Sequence, residues 1–102
     1  METTTHWKDR MDRVTFCKEV IGIGKAVRSF VEDKGHKNGP EIHTITDTGL
    51  IVVRNYYTKK FVTVLIARPG QIYRYYASRN LVAPKELMEL ARKHQDAGYN
   101  YK

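Results

Sequence analysis

The chain has 102 residues, with 18 Lys and Arg against 11 Asp and Glu, and therefore a formal net charge of +7. This length allows one domain, predicted over residues 1–98, and 41% apolar residues suffice for a core. The longest apolar runs, such as residues 62–67, are too short to cross a membrane, and no signal peptide follows Met1. A single cysteine, Cys17, excludes an internal disulfide and a Cys-based zinc site. We expect a small, soluble, basic domain in the cytoplasm.

The positive charge is concentrated in one segment. Between Thr48 and Lys85 there is no Asp or Glu, and the segment holds seven basic residues and five of the seven tyrosines. They are Arg54, Lys59, Lys60, Arg68, Arg74, Arg79 and Lys85, with Tyr56, Tyr57, Tyr73, Tyr75 and Tyr76. Cations bind phosphates, and tyrosine rings stack on unpaired bases. This coincidence predicts RNA or another nucleic acid as the partner; a solvated basic sheet face is the alternative.

Two helices are predicted in the first third of the chain. The threonines at positions 3–5 can cap a helix over residues 6–13. A second helix is indicated by a stripe at helical spacing, formed by Cys17, Val20, Gly24, Val27 and Val31. Residues 34–40, which are rich in Gly, Asn and Pro, end it.

The middle of the chain predicts β-structure. Strands are expected over residues 42–46, 50–55, 61–67 and 72–77, with the apolar third strand in the centre of the sheet. A last helix begins at Pro84 and stops at Gly98, and residues 99–102 form a flexible tail. The predicted fold is α+β, with two N-terminal helices, a four-stranded antiparallel meander and a C-terminal helix.

The side chains favour chemistry without a metal or a cofactor. The four histidines (His6, His36, His43 and His94) lack the mutual spacing of metal ligands. No phosphate-binding loop is present, and Cys17 lies on an apolar stripe that is typical of a core. What remains is His, Arg, Lys, Thr and Tyr. A histidine can move the proton of a 2′-hydroxyl, and arginines can stabilise the charge that develops on the phosphate.

Residues 41–55 (EIHTITDTGLIVVRN), Thr58 and residues 61–69 (FVTVLIARP) resemble the sheet of small metal-independent ribonucleases. This group comprises the barnase, EndoU, colicin and RelE-like enzymes, including versions carried by phages. The spacing of His6 and Arg10 is similar to the start of the first helix in several members. The resemblance covers residues 6–77 and concerns pattern and order. It implies RNA cleavage by 2′-hydroxyl attack, which leaves a cyclic phosphate.

Residue chemistry suggests the roles in such a site. His43 is the first candidate for the general acid or base and His6 the second, with Arg10 beside His6 as a phosphate contact. Candidates for contacts to the phosphate, the transition state or the substrate are Arg68, Arg74, Tyr75, Arg54, Thr46, Thr63, Lys60 and Tyr73. Tyr75 can also relay a proton. For Thr46 and Thr63, the alternative is packing within a strand. Lys60 is expected in a solvated turn. The basic segment offers no catalytic carboxylate, and this departs from the arrangement in barnase. The difference favours a histidine–arginine or RelE-like mechanism.

Two other functions stay open. The same surface suits a non-catalytic nucleic-acid-binding protein, or a phage-type inhibitor of a host protein. A structural protein whose charge keeps it soluble is the third hypothesis. A toxin would need a neutralising partner, and an acidic antitoxin would complement the charge of +7. A histidine within reach of Arg68 and Arg74 in one cleft would favour the enzyme, whereas histidines that point away would favour binding.

Overall fold

The computed structural model describes residues 11–35 and 37–101, and within them the fold is α+β. Helix α1 (Met11–Phe16) continues into a π-helical turn (Cys17–Ile21). Four strands follow: β1 (Ala26–Glu32), β2 (Glu41–Thr46), β3 (Leu50–Asn55) and β4 (Phe61–Ile66). The chain ends with α2 (Pro69–Ala77), α3 (Lys85–Asp96) and a 3-10 turn (Tyr99–Tyr101).

The strands form one antiparallel sheet in the order β1-β2-β3-β4. The predicted four-stranded meander is therefore confirmed, although not with the predicted strands. The register aligns Phe30, His43, Val53 and Thr63 in one row across the sheet. Because alternate residues of a strand share a face, Glu41 and Ile45 lie on the same face as His43.

Each face of the sheet has its own apolar cluster. On the face of His43, the cluster includes Phe30, Ile45 and Ile51 and packs against Ile72 and Tyr76 of α2 and Leu87 and Ala91 of α3. On the opposite face, Val14 and Cys17 pack against strand residues that include Leu50, Val64 and Ile66. Helical segments thus cover both faces.

The predicted second helix is wrong beyond Ile21. Gly22 and Gly24 have φ angles of 85° and 72°, which end the π-helical turn and lead into β1. Beyond the buried Cys17, the apolar stripe does not face a core, because Val20, Val27 and Val31 are all exposed. Val27 and Val31 lie in the edge strand β1, whose buried residue is Phe30. Their helical spacing therefore does not reflect a helix.

The predicted strand over residues 72–77 is also wrong, since these residues lie in α2. Ile72 and Tyr76, four residues apart, are the buried residues of this helix. Pro69 stands at its first turn, and the side-chain oxygen of Gln71 accepts a hydrogen bond from the Arg68 backbone N–H at 2.9 Å. Burial of this helical stripe overrides the strand preference of Ile and Tyr.

The remaining predictions have different outcomes. The C-terminal helix is confirmed, with Pro84 before it and Gly98 after it. Strand β4, expected in the centre of the sheet, lies at its edge. The carbonyl of Ile66 accepts a hydrogen bond from Asn100 Nδ2 at 2.7 Å. Residues 99–101, assigned from the sequence to a flexible tail, therefore form a turn held to β4. The first predicted helix falls largely outside the described residues, as do His6 and Arg10.

Candidate functional site

A cleft of about 360 Å³ lies between α2 and the face of the sheet that carries His43. The sheet contributes His43, Leu65 and Glu32, and Lys34 follows the end of β1. Helix α2 and the residue after it contribute Gln71, Arg74, Tyr75 and Ser78. Positions 71, 74, 75 and 78 recur at helical spacing, so one side of α2 forms one wall of the cleft.

A chain of two hydrogen bonds runs through the cleft. His43 Nε2 lies 3.1 Å from Glu41 Oε1, and His43 Nδ1 lies 2.5 Å from the Tyr75 hydroxyl. A carboxylate only accepts hydrogen bonds, so the ring proton is on Nε2. In the neutral ring Nδ1 is then an acceptor, and the hydroxyl of Tyr75 donates to it. The His43 side chain is 13% exposed and that of Glu41 24%, so solvent only partly screens this pair.

Tyr75 retains its proton well above neutral pH. Burial, followed by the negative charges of Glu32 and Glu41, raises the pKa of Tyr75 to about 12, against the lowering effect of Arg74 and Arg79. Its ring stacks on that of Phe30, with the ring centroids 5.4 Å apart. The hydroxyl is thus a proton donor held in a fixed position.

Arg79 ties the C-terminal end of α2 to β1. Its Nη1 lies 3.1 Å from Glu32 Oε1, and its Nη2 donates to the carbonyl of Val31 at 2.7 Å. The same guanidinium donates to the carbonyl of Tyr75 and lies over the ring of Phe30. Arg79 therefore neutralises the Glu32 carboxylate in the cleft and holds the backbone that presents Tyr75.

Three of the predicted site residues come together: His43, Arg74 and Tyr75 all line this cleft. Arg68 lies in a neighbouring cleft of about 160 Å³ that also contains Arg13, Tyr99 and Asn100. The two clefts share Leu65 and Gln71 as lining residues.

The other predicted substrate contacts lie elsewhere. Arg54 pairs with Ile42 and Phe61 and therefore points to the opposite face from His43. The Thr46 hydroxyl accepts a hydrogen bond from the Leu50 N–H in the β2–β3 turn, and Thr63 is buried in the sheet. None of the five other candidates lines the cleft: they are Arg54, Thr46, Thr63, Lys60 and Tyr73.

Several cations of the acid-free basic segment contact other groups of the protein. Arg79 pairs with Glu32, and the amine of Lys59 lies over the Tyr56 ring, 4.5 Å from its centroid. Lys85 lies 3.9 Å from the carboxylate of Glu89 one turn further along α3. Lys34 and Arg74 line one of the two clefts, and Arg13 and Arg68 line the other.

Sequence reasoning assigned no role to Glu41 or Arg79. For Glu41 a signal is present, because Glu41-Ile42-His43 in a strand places a carboxylate two residues from an imidazole, on the same face. No such signal exists for Arg79, whose contacts to Val31 and Glu32 span 48 and 47 residues of sequence.

No protein-family model, curated protein or solved structure matches this chain. Within the described part, no three His, Cys, Asp or Glu side chains are grouped so that they could hold a metal ion. The described helices include none with the length and apolar character needed to span a bilayer. The resemblance to small ribonucleases stays a hypothesis.

Proposed function

We propose that this protein is a metal-independent endoribonuclease that cleaves RNA by attack of the 2′-hydroxyl on the adjacent phosphate. The observation that carries the proposal is the chain Glu41–His43–Tyr75, which ends in a cleft beside Arg74. A carboxylate, an imidazole and a phenol in this order can conduct a proton without a metal.

In the proposed reaction the Tyr75 oxygen takes the proton of the 2′-hydroxyl while the Tyr75 proton passes to His43 Nδ1. The imidazolium that forms is stabilised by the carboxylate of Glu41, 3.1 Å from Nε2. Arg74 binds the phosphate oxygens, on which negative charge accumulates in the transition state. The 5′-oxygen leaves with a proton from solvent, and the other product carries a 2′,3′-cyclic phosphate.

The proposal is tested by incubating the purified protein with a defined RNA in EDTA at low salt. We expect fragments with 2′,3′-cyclic phosphate ends, and no cleavage of the same sequence made with 2′-O-methyl nucleotides, which lack the nucleophile. Cleavage of the 2′-O-methyl strand, or fragments without cyclic phosphate ends, would contradict 2′-hydroxyl attack.

Non-catalytic binding of nucleic acid is the second candidate, and one feature favours it. Tyr56 and Tyr57 in the β3–β4 turn are 40% and 71% exposed, and neither lines the cleft. Exposed rings beside Lys59 and Lys60 suit base stacking and phosphate contact without any proton transfer. Salt-sensitive retention of RNA on a gel, without cleavage, would support this function.

An acidic antitoxin, or a host protein that this chain inhibits, remains a proposed partner on the grounds of charge alone. A protein with a net charge of +7 attracts an acidic surface over a distance set by ionic strength. The test is co-purification with an acidic protein that abolishes RNA cleavage when it is added back.

A further inference from the structure

The loop between β1 and β2 meets the β3–β4 turn at one end of the sheet. The backbone N–H of Tyr56 donates to the carbonyl of Pro40 at 3.0 Å. Asn55, at the end of β3, is buried, and its Nδ2 donates to the carbonyl of Asn38 at 2.9 Å. The turn is therefore fixed to the preceding loop by both backbone and side-chain hydrogen bonds.

The ring of Tyr57 is held in place in this turn, although it faces solvent. A Cβ on Gly39 would lie 2.6 Å from the Cε2 atom of Tyr57, so the ring packs on a backbone that must be glycine. The backbone N–H of Tyr57 donates to Asn55 Oδ1 at 2.9 Å, and its ring lies edge-on to that of Tyr56, with centroids 5.4 Å apart. Tyr57 is nevertheless 71% exposed. Its contacts thus orient an exposed ring rather than fill the core.

Backbone strain is concentrated in the same turn. Lys59 has a φ of 63°, a left-handed conformation that a lysine rarely adopts. Its backbone N–H donates to the carbonyl of Asn55 at 2.9 Å, and its amine donates to the carbonyl of Tyr56 at 2.5 Å and lies over the Tyr56 ring. Such strain persists where surrounding contacts impose it, and it is frequent at functional sites. The turn therefore has a single imposed conformation that presents Tyr57.

The charge of the two segments selects the kind of ligand. Residues 34–40 and 54–60 contain no Asp or Glu and hold five cations, namely Lys34, Lys37, Arg54, Lys59 and Lys60. Cations attract phosphates, and an exposed aromatic ring that is already oriented can stack on a base without a large loss of side-chain freedom. A single strand presents the faces of its bases, whereas a duplex keeps them within its own stack. Ring and charge together match an unpaired nucleotide.

We propose that Tyr57 is a stacking platform for an unpaired base of single-stranded RNA. That the nucleic acid is RNA rests on the proposed function. Tyr57 lines neither cleft, so the platform is a binding site separate from the site of proton transfer. Gly39 and Asn55 are positioning residues, because they act on the ligand only through the ring of Tyr57.

The test compares two labelled ligands that resist cleavage: a 2′-O-methyl adenosine hexamer, and a hexamer with the same sugar–phosphate backbone but no bases. Fluorescence anisotropy measures the affinity of each at several salt concentrations. We expect Tyr57→Ala to weaken binding of the adenosine hexamer about 5- to 100-fold and to leave binding of the abasic hexamer unchanged. The slope of log K against log salt should stay the same, because the ring contacts no phosphate.

Three further variants separate stacking from other effects. Tyr57→Phe keeps the ring and should bind both hexamers as the wild type does. Val82→Ala, which removes an apolar side chain that is 92% exposed and lies outside both segments, is the control for lost surface area. Gly39→Ala should displace the ring and weaken binding of the adenosine hexamer alone.

Gly35→Ala is the matched control for Gly39→Ala. Gly35 also has a positive φ and lies in the same loop, but no atom lies within 4 Å of its Cβ position. Circular dichroism confirms the folding of each variant, and Tyr57→Ala decides the outcome if Gly39→Ala unfolds. Equal losses for the two hexamers in Tyr57→Ala, or a loss no larger than that of Val82→Ala, would overturn the proposal.

The stacking platform and the ribonuclease fail separately. If RNA is cleaved but Tyr57→Ala binds the adenosine hexamer like the wild type, the platform is refuted and the ribonuclease stands. If RNA is not cleaved but the base-dependent loss is found, the platform stands as a nucleic-acid site and the catalytic proposal is refuted. Failure of the wild type to bind either hexamer would overturn the platform.

Discussion

His43 is held by hydrogen bonds on both ring nitrogens, to the carboxylate of Glu41 and to the hydroxyl of Tyr75. This arrangement fixes the ring orientation and the tautomer together, because Glu41 accepts only. In the proposed function the hydroxyl of Tyr75, rather than the imidazole, touches the substrate. Glu41 is then a positioning residue that acts through His43.

Replacement of Glu41 by Gln should lower kcat for RNA cleavage about 10- to 100-fold and leave KM nearly unchanged. The amide oxygen can still accept from Nε2, but it does not carry the charge that stabilises the imidazolium. The measurement is steady-state kinetics on a short fluorogenic RNA. Glu89→Gln, which removes an exposed carboxylate on α3, is the control and should retain full activity. An equal loss in both variants would indicate a general effect of charge.

Tyr75 should also leave a signature in alkaline stability. Its pKa is raised by burial to about 12, whereas in the unfolded chain it titrates near 10. Between these values the unfolded state loses the proton and the folded state keeps it. The contribution of Tyr75 is therefore complete below pH 10 and is lost as the pH rises toward 12.

The measurement is the free energy of unfolding in urea at pH 8 to 11.5 for the wild type and Tyr75→Phe. The decline with pH should be steeper in the wild type, because phenylalanine has no proton to lose. Tyr73→Phe, on the exposed side of the same helix, serves as the control and should follow the wild type. Parallel curves for wild type and Tyr75→Phe would show that burial does not perturb this hydroxyl.

At the scale of elements, the join between the π-helical turn and β1 decides how the first third of the chain folds. Gly24 has a φ of 72°, and the Lys25 backbone N–H donates to Asp47 Oδ1 at 2.9 Å, which brings this join against the β2–β3 turn. Thr48 donates to the carbonyls of Gly22 and Ile23 from the same turn. A glycine is required where the two segments touch.

A methyl group at Gly24 should destabilise the protein by about 2 to 3 kcal/mol. The new Cβ would overlap Asp47 Oδ1 and lie 2.7 Å from Thr48 Cγ2, in addition to the strain of the positive φ. Gly22→Ala is the matched control, because its φ is also positive but no atom lies within 4 Å of its Cβ. Urea unfolding of both variants separates the two effects. Equal losses of stability in the two variants would mean that the strain of the positive φ alone accounts for the effect of Gly24→Ala.

How far sequence predicts these elements depends on whether local pattern and tertiary burial agree. Strands β2, β3 and β4 lie between turn residues, so their bounds are predicted within one residue. β1 is an edge strand with a mostly exposed surface, and its valines mimic a helical stripe. In α2 the reverse holds, because residues that favour strands bury a helical stripe of Ile72 and Tyr76.

Some residues of the candidate site are predicted from the sequence, and others are not. Residue chemistry singles out His43, Arg74 and Tyr75, and the structure places all three in one cleft. For Glu41 the sequence carries an unused signal, because Glu41-Ile42-His43 in a strand places the carboxylate on the face of the imidazole. The role of Arg79 depends on contacts across 47 and 48 residues, which only the fold reveals.

At the scale of the whole molecule, helices cover both faces of the sheet but the two clefts lie along one helix, α2. Glu32 and Glu89 pair with two of the basic side chains, and cations from distant parts of the chain line the two clefts. Lys34 and Arg13, which lie outside the acid-free segment, line these clefts together with Arg74 and Arg68.

The central claim is that His43 relays the proton in RNA cleavage without a metal. The most direct measurement is cleavage of a defined RNA in EDTA by the wild type, His43→Ala and His6→Ala. The wild type and His6→Ala should cleave, and His43→Ala should be slower by about 10² to 10⁴. Cleavage that EDTA abolishes, or that His43→Ala retains while His6→Ala loses it, would contradict this account.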